Sequence, residues 1–173
     1  MPEVREEVLA KKGYKQGLRK KKRRIGMDAN FTFRKMAKED KNAVVAMMRT
    51  FYSSPAVFTN GSEEIFERDV EVCVEGSPYL EGFVAERDGD LQGYVMIAKS
   101  FSTEFGKPCV WIEDLYVKEE CRGVGLGKAF MEFITRNYTD CIFRLEVEEE
   151  NDRAVELYEK FGFSVLPYME MKL

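Results

Sequence analysis

The sequence contains no histidine in 173 residues. That absence excludes Ser-His and Cys-His triads, HExxH metal sites and imidazole proton transfer. A general base must then be a carboxylate, a lysine, a tyrosine, a thiolate or a water. Cysteine is sparse: Cys73, Cys109, Cys121 and Cys141 form no CxxC pair and no zinc-ribbon spacing. They read as partly buried thiols of a reducing compartment, and no metal site is expected. No run of roughly 18 apolar residues is present, so no transmembrane helix is expected. The N-terminus lacks the apolar stretch of a signal peptide. These absences predict a cytoplasmic protein with no membrane partner. The length suggests one domain, and 45% hydrophobic with 34% charged residues is an ordinary globular composition.

What is present is unevenly spread. The net charge of −4 hides a division at Gly26–Met27. Residues 1–26 carry ten Lys/Arg against three Asp/Glu; the remainder carries 17 against 28. The run KKGYKQGLRKKKRR, residues 11–24, holds nine basic residues and no acid, and such a block repels itself and rarely packs. Residues 1–26 are therefore read as a basic leader and 27–173 as a single domain. Three readings of the leader stay open: a nucleic-acid or anionic-surface anchor, a solvated tail, or residues upstream of a functional start at Met27.

Regular patterning begins at Phe31. FTFRK alternates like a half-buried strand. Asp40 is a plausible N-cap for a helix to about Tyr52, with Val44, Val45, Met47, Met48 and Phe51 as its stripe. Ser62 starts a second helix that Gly76 ends. FVAE and LQGYVMIA flank Asp88-Gly89, a hairpin signal. A loop, SFSTEFGKP, leads to the strand CVWIEDLYV. Gly123 to Gly127 open the amphipathic helix VGLGKAFMEFITRNY. CIFRLEV is a strand, NDRAVELYEKFGF a helix stopped by Gly162, and the C-terminus reads as one or two short strands around Pro167. The helix between strands 109–117 and 141–147 makes them parallel, while the hairpin strands are antiparallel. The expected fold class is a mixed α/β sheet with helices on its faces.

The densest chemistry is Cys121-Arg-Gly-Val-Gly-Leu-Gly-Lys128, after a strand and opening a helix. Glycines let a ligand approach the backbone N–H groups, and a helix N-terminus favours anions. Arg122 and Lys128 add charge. A Walker A loop fails because Ala129 follows the lysine, and GxGxxG fails because position 128 is Lys. On this local pattern a tight structural turn also remains open.

Arg122-x-x-Gly125-x-Gly127, preceded by EDLYV and followed by NDRAVELYEKFGF, resembles the GNAT acetyltransferase superfamily over about residues 31–173. The first motif is similar to the family's acetyl-CoA pyrophosphate signature, the second to its Asn-x-x-Ala-x-x-x-Tyr signature. Cys121 departs from the aromatic often found there. The resemblance implies a GNAT fold and acetyl-CoA as co-substrate. It implies that Arg122, Gly123, Val124, Gly125, Leu126, Gly127 and Lys128 hold the pyrophosphate, and that Leu115, Tyr116 and Val117 pair with the pantetheine arm where a bulge splays the strand. Asn151 would bond that arm, Ala154 would leave room for it, and Tyr158 would be the general acid to the leaving thiolate.

Strand alternation puts Trp111, Glu113 and Leu115 on one face, with Ile112, Asp114 and Tyr116 on the other, unless a bulge shifts the phase. The resemblance is strongest to diamine acetyltransferases. It implies that Glu113 is the base, often through water, and that Asp114 and Tyr52 contact the acceptor. The segments Phe51–Asn60 and Ser100–Lys107 would line the acceptor cleft. The acidic domain favours a small cationic amine as partner. Nucleic acid enters only through the leader, and a homodimer stays open. The expected activity is direct N-acetyl transfer to a primary amine. The alternatives are a protein or ribosomal amine as acceptor, or a non-catalytic acetyl-CoA-binding module.

Overall fold

The computed structural model describes residues 31–169 and 171–173. The basic leader and its boundary at Gly26–Met27 lie outside the described residues. The body, whose described residues run from 31 to 162, is one compact unit. It is built on a five-stranded sheet in the order β1-β2-β3-β4-β5. The strands are β1 (Thr32–Lys35), β2 (Leu80–Arg87), β3 (Asp90–Ser102), β4 (Lys107–Val117) and β5 (Ile142–Leu145). The first four run antiparallel to one another in turn, and β5 joins β4 in parallel. The helices are α1 (Lys41–Tyr52), α2 (Glu63–Glu75), α3 (Leu126–Asn137) and α4 (Asp152–Lys160). Helix α3 makes the crossover that a parallel pair requires.

Local chemistry explains most element boundaries. Asp88 and Gly89 both take positive φ, 56° and 85°, as a two-residue hairpin turn needs. Ser62 accepts a hydrogen bond from the Ile65 N–H, and Gly76 closes α2 in the left-handed conformation. Asp40 stands at the N-cap position of α1, as expected, but its side chain makes no capping hydrogen bond to the helix. A 3-10 turn over Lys38–Asp40 precedes the helix, and the Asp40 carboxylate instead accepts from the Ala37 N–H at 2.8 Å and from the Arg34 guanidinium at 2.6 and 2.9 Å. The Arg34 contact holds its carboxyl below the usual range.

The apolar stripes of α1 and α2 cover one face of the sheet. Val44, Val45, Met47, Met48, Phe66 and Val70 pack there with Val84, Tyr94, Met96 and Tyr116. A fully buried aliphatic side chain of this kind contributes about 1.5–3 kcal/mol. The other face carries an aromatic cluster in which Phe33 and Phe83 meet Phe130 and Phe133 of α3.

Two expectations fail. The stretch SFSTEFGKP, expected as a loop, is mostly hairpin: β3 runs to Ser102 and β4 starts at Lys107, leaving a tight turn with Gly106 at φ 63°. From Phe163 the chain belongs to a separate unit, and its described residues contain no helix or strand. Val165, Tyr168, Met169 and Met171 are exposed. Apolar alternation becomes a strand only where a neighbouring edge supplies hydrogen bonds, and Pro167 removes one donor. No helix among the described residues is long and apolar enough to cross a membrane.

Candidate active site

Strand β4 changes character at Glu113. Its parallel pairing with β5 runs from Cys109 to Ile112 and ends there. On the other side, Ile97 pairs with Ile112 and Met96 with Asp114, so Glu113 is the extra residue of a β-bulge. Beyond it, Leu115, Tyr116 and Val117 pair with β3 but not with β5. The strand therefore offers an open backbone edge to an extended ligand. The bulge also resets the side-chain phase. Met96 and Ile97 point to opposite faces, so Ile112 lies on the face opposite Asp114, contrary to simple alternation.

The glycine turn follows directly. Gly123 and Gly125 adopt φ of 84° and 92°, conformations costly for other residues. Gly125 is the N-cap of α3 and brings no side chain to bond the first-turn N–H groups, which have no intrahelical partners. A Cβ on Gly127 would stand 3.2 Å from Leu157 Cδ2 of α4. Leu126 is buried and Val124 exposed, so both serve an anion through the backbone. Arg122 bends back, its Nε donating to the Val117 carbonyl at 3.1 Å, with its guanidinium 6.0 Å from the Tyr116 ring centre. Lys128 is engaged by Glu132. The turn thus fits a pyrophosphate mainly through its backbone. Arg153, which no sequence motif singled out, adds a cation: its Nη2 stands 3.7 Å from where a Gly123 Cβ would be.

Helix α4 presents two adjoining stripes. Arg153 and Leu157, four apart, face the glycine turn, and Ala154 and Tyr158 form the next stripe. Asn151 caps the helix, its Oδ1 accepting from the Ala154 N–H at 3.3 Å. Its NH2 remains the donor end. Burial pushes the Tyr158 phenol up to about 12, so it stays protonated.

On the α1/α2 face lies a small cavity of about 140 Å³ lined by Tyr52, Asp69, Leu80, Met96, Glu113 and Asp114. Glu113 is exposed. Asp114 is 3% exposed, and its two oxygens accept from the Tyr52 hydroxyl at 3.0 Å and the Tyr94 hydroxyl at 2.9 Å. Burial pushes its carboxyl up to about 6 despite those two bonds, and Asp69 pushes in the same direction. Burial likewise raises Asp69. Of the expected cleft residues, Ser54 is taken up locally, donating to the Phe51 carbonyl at 2.6 Å. Asp69 and Tyr94 join the site without having been expected there. Asp69 carried one signal: it stands beside Val70 and three residues from Phe66, at the rim of a buried stripe. Tyr94 had none, because only the cross-strand register brings it to Asp114.

A mixed sheet whose β4 and β5 part beside a glycine-rich helix start defines the acyltransferase class of fold. The chain belongs to the acetyltransferase (GNAT) family, whose family model matches residues 45–163. It is similar to the thialysine N-epsilon-acetyltransferase of Sus scrofa, 34% identical over 97 residues, covering 50% of this chain and 56% of that protein. It is also similar to the spermine/spermidine N(1)-acetyltransferase of Bacillus subtilis, 26% identical over 102 residues, covering 54% and 67%. The chain thus spans little more than half the length of the pig protein. Among solved structures, a possible acetyltransferase from Clostridium difficile 630 shares the fold with a TM-score of 0.71 at 17% identity, covering 83% of this chain and 96% of that one.

Proposed function

We propose that this protein transfers the acetyl group of acetyl-CoA directly to a primary amine of a small cationic acceptor. The observation that carries this reading is Glu113, the bulge residue where β4 leaves β5, bordering a cavity that also holds Asp69 and Asp114. The amines acted on by the similar pig and Bacillus proteins, named for thialysine and spermine/spermidine, support the same class.

Bound acetyl-CoA supplies an activated thioester; the rest is the work of the chain. The backbone N–H groups from Gly123 to Lys128, with Arg153, hold the pyrophosphate. The open edge of Leu115 to Val117 and the Asn151 amide hold the pantetheine arm. An alkyl ammonium has a reference pKa of about 10.4 and must lose a proton before it attacks. Glu113 accepts that proton, through water where the reach requires it. A backbone N–H near Leu115 polarises the carbonyl oxygen. Tyr158 donates to the departing sulfur. A phenol at about 12 is a weaker acid than a thiol at about 8.5. Its main contribution is therefore the donated hydrogen bond, which stabilises the developing thiolate. Asp114 positions Tyr52 and Tyr94 rather than meeting the amine first.

The test is a panel of primary amines assayed for free-thiol release with acetyl-CoA. Amine-dependent release is expected. Cofactor binding without release on any amine would leave a non-catalytic module, and release only with peptide or ribosomal amines would move the acceptor class.

A further inference from the structure

Positive φ at Gly123 and Gly125 makes the anion turn conformationally permissive, and a permissive loop binds weakly unless something holds it in the bound shape. Its far end is held by packing: Leu126 is buried, and a Cβ on Gly127 would already meet Leu157. Its near end is Cys121, the residue before Arg122, and that residue is 1% exposed. Cys121 closes the 3-10 turn Glu119–Cys121, its N–H donating to the Lys118 carbonyl at 2.9 Å. Its thiol donates to Gln92 Oε1 at 2.6 Å and accepts from Arg87 Nη2 at 3.8 Å.

Gln92 lies in β3 and is 8% exposed. A buried amide is costly unless it is hydrogen-bonded, and both ends of this one are bonded. Its Nε2 donates to the Asp90 carbonyl at 3.0 Å, which turns Oε1 toward Cys121. Its backbone joins the same place, since the Lys118 N–H donates to the Gln92 carbonyl at 3.0 Å. Gly93 makes this approach possible. A Cβ there would stand 2.4 Å from the Tyr116 carbonyl oxygen and 3.3 Å from Val117 Cα, so glycine lets β3 pass this close to the end of β4. Arg87 is steadied in turn by Phe31, its guanidinium lying 5.2 Å from the ring centre. The β2–β3 hairpin thus grips the residue from which the anion turn starts. Gln92, Arg87 and Cys121 do not line the acceptor cavity.

Resting on the acetyl-transfer reading above, we propose that Gln92 and Cys121, with Arg87 behind them, are positioning residues for the cofactor's pyrophosphate. They hold the start of the anion turn so that the N–H groups from Gly123 to Lys128 stay aimed at one point. They act through the turn, and they set cofactor affinity without entering the chemistry.

Calorimetry with CoA on the full chain reads the affinity. Thiol release reads kcat and KM for acetyl-CoA against those for S-acetylpantetheine, which lacks the pyrophosphate and the nucleotide. Gln92→Leu and Cys121→Ala should each weaken CoA binding, and raise the KM for acetyl-CoA, by about 3- to 10-fold, the worth of one hydrogen bond. The kcat at saturating acetyl-CoA and the kcat/KM for S-acetylpantetheine should not change. Cys121→Ser, which keeps a donor, should restore most of the affinity, and in the double variant the two losses should not add. If Gln92→Leu does not fold, the two Cys121 variants decide. Unchanged CoA affinity in the variants, or an equal loss with both acyl donors, overturns the positioning role. A wild type that does not bind CoA overturns the transfer reading and this one with it. CoA binding without thiol release on any amine fails the transfer reading alone, and calorimetry still decides this one.

Discussion

The two halves of β4 differ in one respect from which much else follows. Cys109 to Ile112 is hydrogen-bonded on both edges, and its Cys109, Val110 and Ile112 are buried. Beyond the bulge at Glu113, Asp114 to Val117 pair with β3 alone, and this half carries two acids. The first half is scaffold. The second exposes a backbone edge and borders a cavity. A strand can lend its backbone to a ligand only where a neighbour has been taken away, and a bulge next to a parallel partner of only four residues achieves that. Mutations in the two halves should therefore fail in different ways.

The largest effect belongs to the open half. Glu113→Gln should lower the rate at neutral pH by about 10²–10⁴, the usual range for a general base, with recovery toward high pH as the amine becomes neutral by itself. A pH-rate profile of thiol release checks this; an equal loss at every pH would assign Glu113 to binding instead.

In the closed half, Ile112→Ala should cost about 2–5 kcal/mol of stability through lost burial and a residual cavity. Denaturant unfolding measures it. A stable variant with lost activity would erase the distinction between the halves.

Asp114 belongs to the open half yet is buried. Its native carboxyl is raised from 3.8 to about 6, so the folded state binds the proton more tightly than the unfolded chain. The contribution of this group to stability is full below pH 3.8 and is lost as the pH rises through 6. The loss amounts to about 2–3 kcal/mol. Carboxyls held low, such as Asp40 and Glu81, act in the opposite direction and are common to wild type and variant. The difference between wild type and Asp114→Asn in unfolding free energy from pH 4 to 7 isolates the effect, and parallel curves would refute it.

Smallest is Tyr158→Phe, which should reduce kcat by about 10- to 100-fold, the worth of one hydrogen bond to a developing charge, with little change in the KM for acetyl-CoA. An unchanged kcat would remove Tyr158 from the reaction.

Most of the fold and part of the site were legible in the sequence alone. The anion-binding turn was readable because positive φ at Gly123 and Gly125 is a demand that glycine meets locally. The hairpin at Asp88-Gly89 and the helix start at Ser62 were readable for the same kind of reason. The position of Asp40 at the start of α1 was readable, but not that its carboxylate would serve Arg34 and the Ala37 N–H instead of the helix end. The C-terminal alternation misled because an alternating pattern does not name its partner edge.

The sequence by itself determined the element order as far as α4, the glycine turn and the acids of β4, since each depends on dihedral preferences or residue chemistry within a few positions. Only the tertiary structure decided where β4 loses its partner and which face Ile112 takes. It also brought Asp69 to the cavity and Tyr94 to Asp114. Those are matters of register and packing between segments distant in sequence, and in a sheet a shift of one residue moves a side chain to the opposite face.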